Sequence, residues 1–295
     1  MPKTRTPLHD FPRSVSATSL STFKACARKS EYYTFMRWVP KEKSIHLHAG
    51  GAFASAIESA RLSFYVAGTD AERAIGEGLK TLWREWGDFE TPDKAVKTWM
   101  NCSHAYIGYF DTWPLGKDPI TPLVLASGTA IEFDFTADLG IKHPSTGDPI
   151  LYTGRADMLG QFQSSLWNVD EKTTSGIGPA WARKWSMRSQ FLGTIWAAAQ
   201  YGHKLRGTII RGIAILKNEN KTAEHLAPAN PHLVERWHES TLATVKQMIQ
   251  IWKSGQFPYN FDDSCIAYNS TCEYMPLCQA QDYKKWLMYF AQRTR

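Results

Sequence analysis

Residues Tyr152 to Thr174 read YTGRADMLGQFQSSLWNVDEKTT, and this stretch decides the fold. Apolar runs over 150–162 and 166–173 flank the polar connection Gln163-Ser164-Ser165, the pattern of two strands joined by a tight turn. The result is a β-hairpin with acids on both arms. Asp157 sits on the first arm, and Asp170, Glu171 and Lys172 follow one another on the second. Side chains alternate along a strand, so Asp170 and Lys172 share one face while Glu171 points to the other. A hard divalent cation takes oxygen ligands. The carboxylates of Asp157 and Asp170, with the main-chain carbonyl of Glu171, supply part of an octahedral Mg²⁺ shell and leave room for water. Lys172 is then placed to orient such a water and to offset charge developing on a phosphate. The plain alternative is an exposed hairpin whose Asp-Glu-Lys is a solvated polar end.

The order of motifs narrows the choice. Gly154-Arg155-Ala156-Asp157 stands ahead of Asp170-Glu171-Lys172-Thr173-Thr174, and Ser189-Gln190-Phe191-Leu192-Gly193-Thr194 opens a helix-like stretch after it. This order resembles the PD-(D/E)XK nuclease superfamily, and more closely its RecB-type exonuclease branch, found in recombination nucleases, CRISPR-adaptation nucleases and many phage proteins. The resemblance implies an α/β restriction-endonuclease-like core, a mixed central sheet flanked by helices, and Mg²⁺- or Mn²⁺-dependent hydrolysis of DNA, as an exonuclease in recombination, repair or phage DNA processing. By motif, Asp157 matches the metal ligand of the family's GxxD, Asp170 and Lys172 its (D/E)xK, and Gln190 the glutamine of its following helix.

Two positions depart from that pattern. The family's GxxxHxxxE helix has Ala54 where the histidine is expected, and Glu58, one turn further on the same face, is the acid that would complete a metal set of Asp157, Asp170, Glu171 and Glu58. The family's QxxxY has Thr194 in place of the tyrosine. Glu132 matches a glutamate often found on the strand before GxxD; salt bridging or simple exposure is its plain reading. His46 and His48, just upstream of the 50–66 helix, read as solvated loop histidines.

The chain as a whole suits a soluble enzyme. It has 295 residues, 43% of them hydrophobic, enough for one large core. Lys+Arg of 34 against Asp+Glu of 28 gives a net charge of +6, which fits a polyanionic partner. Twelve tryptophans offer stacking platforms for DNA ends or single strands, although most aromatics build interiors. No apolar run reaches the roughly 18 residues of a membrane span, and the first twenty residues lack a signal-peptide core, so a cytoplasmic protein is expected.

Residues 1–17, with Lys3, Arg5 and Arg13 among prolines, read as a flexible basic arm ordered from about Ser16; residues 18–295 form a single nuclease domain. A capped helix over 18–29 carries Leu20, Phe23 and Cys26 at helical spacing. Residues 70–113 read as a helical insertion of two helices, 71–86 and 93–110, with Ile75, Leu79, Leu82 and Trp83, then Val96, Met100, Tyr106 and Ile107, as its apolar stripe. A proline-rich linker spans 114–122, a strand 129–141, a helix 180–201, a strand 207–216 and a long helix 231–252.

Five cysteines in a reducing compartment are not a disulfide framework. Cys265, Cys272 and Cys278 lie in a C-terminal segment, 260–295, before a helix expected over 279–292. With Cys26 they resemble the cysteine set of iron-sulfur RecB-type nucleases, one N-terminal and three C-terminal, which implies a [4Fe-4S] cluster. The spacing C-x6-C-x5-C departs from the usual C-x2-C before the last interval. Four thiolates also suit zinc, and unligated thiols are the third reading. Cys102 reads as a small buried hydrophobe. Ala54 and Thr194 keep two rival functions in view: a non-catalytic nucleic-acid-binding descendant, and a cluster-bearing subunit that assembles with a helicase or recombination protein.

Overall fold

The computed structural model describes residues 9–126, 128–261, 264–267 and 270–293. The chain divides into two compact units, one of residues 44–135 and 155–234, the other of residues 1–43, 136–154 and 235–295. Two paired strands, Ile131–Lys142 and Pro149–Phe162, have residues in both.

The first unit is built on the hairpin. Its arms, Pro149–Phe162 and Ser165–Thr174, pair antiparallel with Phe162 opposite Ser165. Gln163 and Ser164 both take left-handed backbone (φ 47° and 59°). A two-residue loop of that kind matches the twist of its strands, so the connection closes on two residues and not three. Leu205–Ile215 runs parallel to the second arm, Asn220–Pro228 antiparallel to Leu205–Ile215, and Thr121–Pro122 edges the first arm. The sheet is therefore mixed, and helices flank it.

One face carries the helices Ile45–Arg61, Ala71–Trp86 and Trp99–Thr112, whose Phe53, Ile57, Leu82, Tyr106 and Phe110 close over Ile213 and Ile215. The other carries the helices Pro179–Arg183 and Ser189–Gln200. There Ala198 packs with Leu159 and Leu205, and Trp181 with Ile210. Gly212 permits that approach, since a Cβ there would lie 2.3 Å from the Trp181 ring.

Several boundaries differ from the sequence-based expectation. The second insertion helix starts at Trp99 and not at residue 93, because Lys94 takes left-handed backbone (φ 65°) and the Thr98 side chain caps the helix by accepting from Asn101 N. Its stripe is also rotated. Trp83, Val96, Met100 and Ile107 are exposed, while Trp86, Cys102, Tyr109 and Phe110 are buried. The proline-rich segment 114–122 is no linker, for Leu115 and Ile120 are core residues. The expected 180–201 helix is two helices, with Trp185 folded edge-to-face against Trp181 at 5.4 Å in the break.

In the second unit, residues 1–8 of the expected basic arm lie outside the described residues. From residue 9 on the chain is built in. Trp252 Nε1 donates to His9 O at 2.6 Å, Phe11 is buried against Phe35 and Trp252, and Ser14–Val15 pairs parallel with Leu151 and Tyr152. The expected 18–29 helix is divided into Ala17–Ala25 and Ala27–Ser30 at Cys26, whose backbone is extended and whose Sγ accepts from Lys29 N at 3.5 Å. In place of a 279–292 helix stand a short helix Met275–Gln279, a 3₁₀ helix Tyr283–Tyr289 and a strand Phe290–Gln292 paired with Trp38–Pro40. Among the described residues no helix is long and apolar enough to cross a membrane.

Candidate active site

The second arm of the hairpin positions the site. Asp170 is 1% exposed, and its Oδ1 lies 2.5 Å from Lys172 Nζ across one turn of the pleat. Gln190, at the start of the Ser189–Gln200 helix, donates from Nε2 to Asp170 Oδ2 at 3.1 Å. Asp157 Oδ2 accepts from Glu171 N at 3.0 Å, which ties the first arm to the second at the level of the acids. Lys172 Nζ also lies 5.9 Å from the centre of the Phe191 ring. Asp157, Asp170, Lys172 and Gln190 are thus brought together on the face of the Ser189–Gln200 helix.

Their protonation follows from this crowding. Burial, then the Asp170 and Glu171 carboxylates, hold Asp157 well above the usual carboxylate range, although it keeps a partial opening to solvent. Asp170 is raised as well, by burial, with the Lys172 ammonium pulling against it. Burial disfavours the Lys172 cation, yet Asp170 and Asp157 outweigh it and raise that group. The Lys172 ammonium pulls both acids down, Arg188 adds to its pull on Asp170, and burial still leaves both raised. Apart from the ion pair with Lys172, Asp170 Oδ1 has no hydrogen-bond partner among the described residues. Carboxylate oxygens are the donors that a hard divalent cation such as Mg²⁺ or Mn²⁺ takes, and Asp157 and Asp170 are the residues that could hold one.

Glu171 faces the opposite side. Its Oε1 takes Arg61 Nη2 at 2.5 Å and the Tyr109 hydroxyl at 3.0 Å, and its Oε2 takes Arg61 Nη1 at 3.2 Å. Burial would raise this carboxyl, but Arg61, Arg211 and Tyr109 hold it low. The carboxylate is occupied, which leaves the main-chain carbonyl as the group Glu171 can offer. Glu58 is half-buried on the Ile45–Arg61 helix. With Glu171 it raises Glu132, which is pushed up to about 7, chiefly by burial and against the pull of Arg155. Ala54 is exposed, and Thr194 is buried with its hydroxyl donating to Gln190 O at 3.0 Å. His48 is structural, stacked on Phe89 with Nε2 3.1 Å from Trp86 O.

Sequence reading missed the groups that hold this arrangement from behind. Arg211 is 1% exposed and grips Asp118 through Nη1 (2.6 Å) and Nη2 (2.8 Å), with Nε 3.0 Å from Glu224. A lone arginine inside Thr208-Ile209-Ile210-Arg211-Gly212-Ile213 was the available signal, since a charge in a buried strand needs partners. Arg61, three residues after Glu58 on one helix, was the other.

All five cysteines are free thiols. Cys26, Cys265, Cys272 and Cys278 lie in one neighbourhood: burial pushes Cys278 up to about 11, Arg28 opposes this, and Cys272, Cys26 and Cys265 add to it. Cys272 N donates to Cys265 O at 2.8 Å, folding the C-terminal segment back on itself. Burial raises Cys272 as well, with a smaller contribution from Cys26, and a soft cation would take such thiols as thiolates. As they stand, however, no three or more His, Cys, Asp or Glu side chains among the described residues are arranged to hold a metal ion, at either centre.

The model of the PD-(D/E)XK nuclease superfamily matches residues 14–279. The chain belongs to that superfamily. This PD-(D/E)XK protein has no match among curated proteins. Its fold is similar to the crystal structure of a protein from Eubacterium rectale described as a "putative exonuclease", with TM-score 0.52 and 13% identity over 90% of this chain and 93% of that one. A second crystal structure, described as SSO0001, aligns at TM-score 0.32 and 11% identity over 79% of this chain and 77% of that one. At 13% identity the likeness to the Eubacterium rectale protein is one of fold.

Proposed function

We propose that this protein is a metal-dependent exodeoxyribonuclease in which Asp157 and Asp170 hold Mg²⁺ or Mn²⁺ and Lys172 and Gln190 complete the catalytic set. The observation that carries the reading is the placement of two buried carboxylates on adjacent arms, Asp157 Oδ2 accepting from Glu171 N at 3.0 Å and Asp170 Oδ1 2.5 Å from Lys172 Nζ, both acids raised chiefly by burial. The bound cation would supply Lewis acidity at the scissile phosphate and lower the pKa of a water. The chain's own residues do the rest. Gln190 fixes one oxygen of Asp170 and so orients the other. Lys172, held between Asp170 and the Phe191 ring, keeps its proton and presents positive charge where a phosphate would gain negative charge. The Arg61–Glu171–Tyr109 contacts on the opposite face keep the second arm from rotating and so set the direction of its neighbours.

Removal of nucleotides from an end is supported by the motif order and by the likeness in fold to the Eubacterium rectale protein, so described. The four clustered thiols support a separate centre, a [4Fe-4S] cluster with zinc as the alternative, that joins the N-terminal and C-terminal segments of one unit. End-labelled DNA incubated with the purified protein in Mg²⁺ and in Mn²⁺ tests the activity. Progressive loss of label and release of mononucleotides, absent in Asp157→Asn, are expected. Intact DNA in both metals, with binding retained, would replace this reading with that of a non-catalytic DNA-binding descendant.

A further inference from the structure

A cavity of about 340 Å³ opens at the end of the hairpin's second arm, lined by His46, Lys94, Lys97, Ser175 and Lys217 over an apolar floor that includes Ile45 and Ile215. Among the described residues no acidic side chain lines it. Lys97 is 6% exposed, and its ammonium donates to the neutral Thr173 Oγ1 at 3.0 Å. An ammonium carries three donors, and a buried one normally meets a carboxylate. Here burial pushes the Lys97 pKa down, and among the described residues the Cys102 thiol opposes it. Leaving a cation buried without an opposite charge is costly, so the arrangement has a natural complement: an anion in the cavity. Lys94 and Lys217, both exposed, add further positive charge at its rim. The volume is at the low end of small-molecule sites, enough for a compact anion and part of what carries it.

We propose that this cavity is a phosphate-binding site, with Lys97 as its buried anchor, Lys94 and Lys217 at its rim and Ser175 as a neutral donor. A phosphate carries several acceptor oxygens and, as a monoester, close to two negative charges, which matches converging ammonium groups better than a carboxylate does. The phosphate can come from a nucleic-acid strand or from a free nucleotide. Neither Asp157 nor Asp170 lines the cavity, and the inference does not depend on the nuclease reading.

The test is run in EDTA, so that cleavage plays no part. Binding of inorganic phosphate, of a deoxynucleoside monophosphate and of a short 5′-phosphorylated oligonucleotide is measured on the full chain, on Lys97→Met, which keeps the aliphatic stem, and on the exposed-site variant Lys217→Ala. The site predicts at least a tenfold loss in Lys97→Met and a severalfold loss in Lys217→Ala for whichever probe it takes. If the mononucleotide binds and is lost in this way, the source is a free nucleotide. If only the oligonucleotide is affected, and Lys217→Ala lowers its salt dependence by about 0.7–0.9 in log–log slope, the source is a strand phosphate. Should Lys97→Met fail to fold, Lys217→Ala decides alone. Unchanged affinity for all three probes in the folded variants, or no binding by the wild type, overturns the site whether or not the protein cleaves DNA.

Discussion

The guanidinium of Arg61, on the last turn of the Ile45–Arg61 helix, meets the carboxylate of Glu171 with Nη2–Oε1 at 2.5 Å and Nη1–Oε2 at 3.2 Å. Both side chains are 5% exposed. Glu171 separates Asp170 from Lys172, so this pair sets the strand whose other face carries the acid and the lysine. Removing one partner strands a buried charge, which costs on the order of 3–5 kcal/mol. Arg61→Leu and Glu171→Leu are each expected to lower stability by that order in urea denaturation, and the double variant by less than the sum. Single variants within about 0.5 kcal/mol of wild type would show that the pair does not hold the strand.

Lys172→Ala is expected to lose cleavage by a factor on the order of 10² or more, since it removes a charge that matters most in the transition state. DNA binding in EDTA is expected to stay within a few-fold of wild type. Single-turnover rates and filter binding on the same preparation separate the two. A wild-type rate in Lys172→Ala would remove this residue from the chemistry.

The hairpin was legible because its two apolar runs, its polar turn and its acids fall within 23 residues, where alternation alone assigns faces. The opposite side of the site was not. Glu171, Arg61, Tyr109, Asp118 and Arg211 come from distant parts of the chain, and each taken alone reads as an ordinary charge or aromatic. Asn220–Pro228 escaped notice for another reason: its alternate residues face solvent with few large apolar side chains between them, so it carries little strand signal. Asp93 to Thr98 passed for helix because left-handed backbone at Lys94 has no signature in a sequence without glycine there.

In metal-free protein, Asp157 and Asp170 retain protons that the unfolded chain releases near the ordinary value of 3.8. The folded state then binds more protons than the unfolded state, so stability falls as the pH rises above that value. Glu132, pushed up to about 7 chiefly by burial, carries the decline through neutrality. A divalent cation held by the two would take the ionised carboxylates and reverse the trend. The difference in melting temperature between Mg²⁺ and EDTA samples is expected to widen from about pH 5 to about pH 8. It should vanish in Asp157→Asn/Asp170→Asn, which should also be the more stable protein in EDTA at the higher pH. A gap of equal size at both pH values, or one that survives in the double variant, places the cation elsewhere.

The last expectation concerns Cys26, Cys265, Cys272 and Cys278. They lie in one unit of the fold and bear on one another electrostatically, while Cys102 is buried in the other unit among Phe53, Tyr106 and Phe110. A centre held by the four would close a loop of about 240 residues, and its binding energy would be folding energy. Protein purified without oxygen is expected to be brown, with broad visible absorption and iron in proportion to protein. Serine at any one of the four positions should bleach it and lower the melting temperature, because one lost thiolate opens the centre. Cys102→Ser should keep the colour. Zinc in place of iron, in a colourless protein whose metal is lost in the same four variants, would keep the ligand set and change the cofactor. A colourless preparation with neither metal and with four titratable thiols at these positions would remove the centre altogether. The effect of the other three on Cys278 would then be that of packed thiols, and the hairpin's acids would stand or fall by cleavage alone.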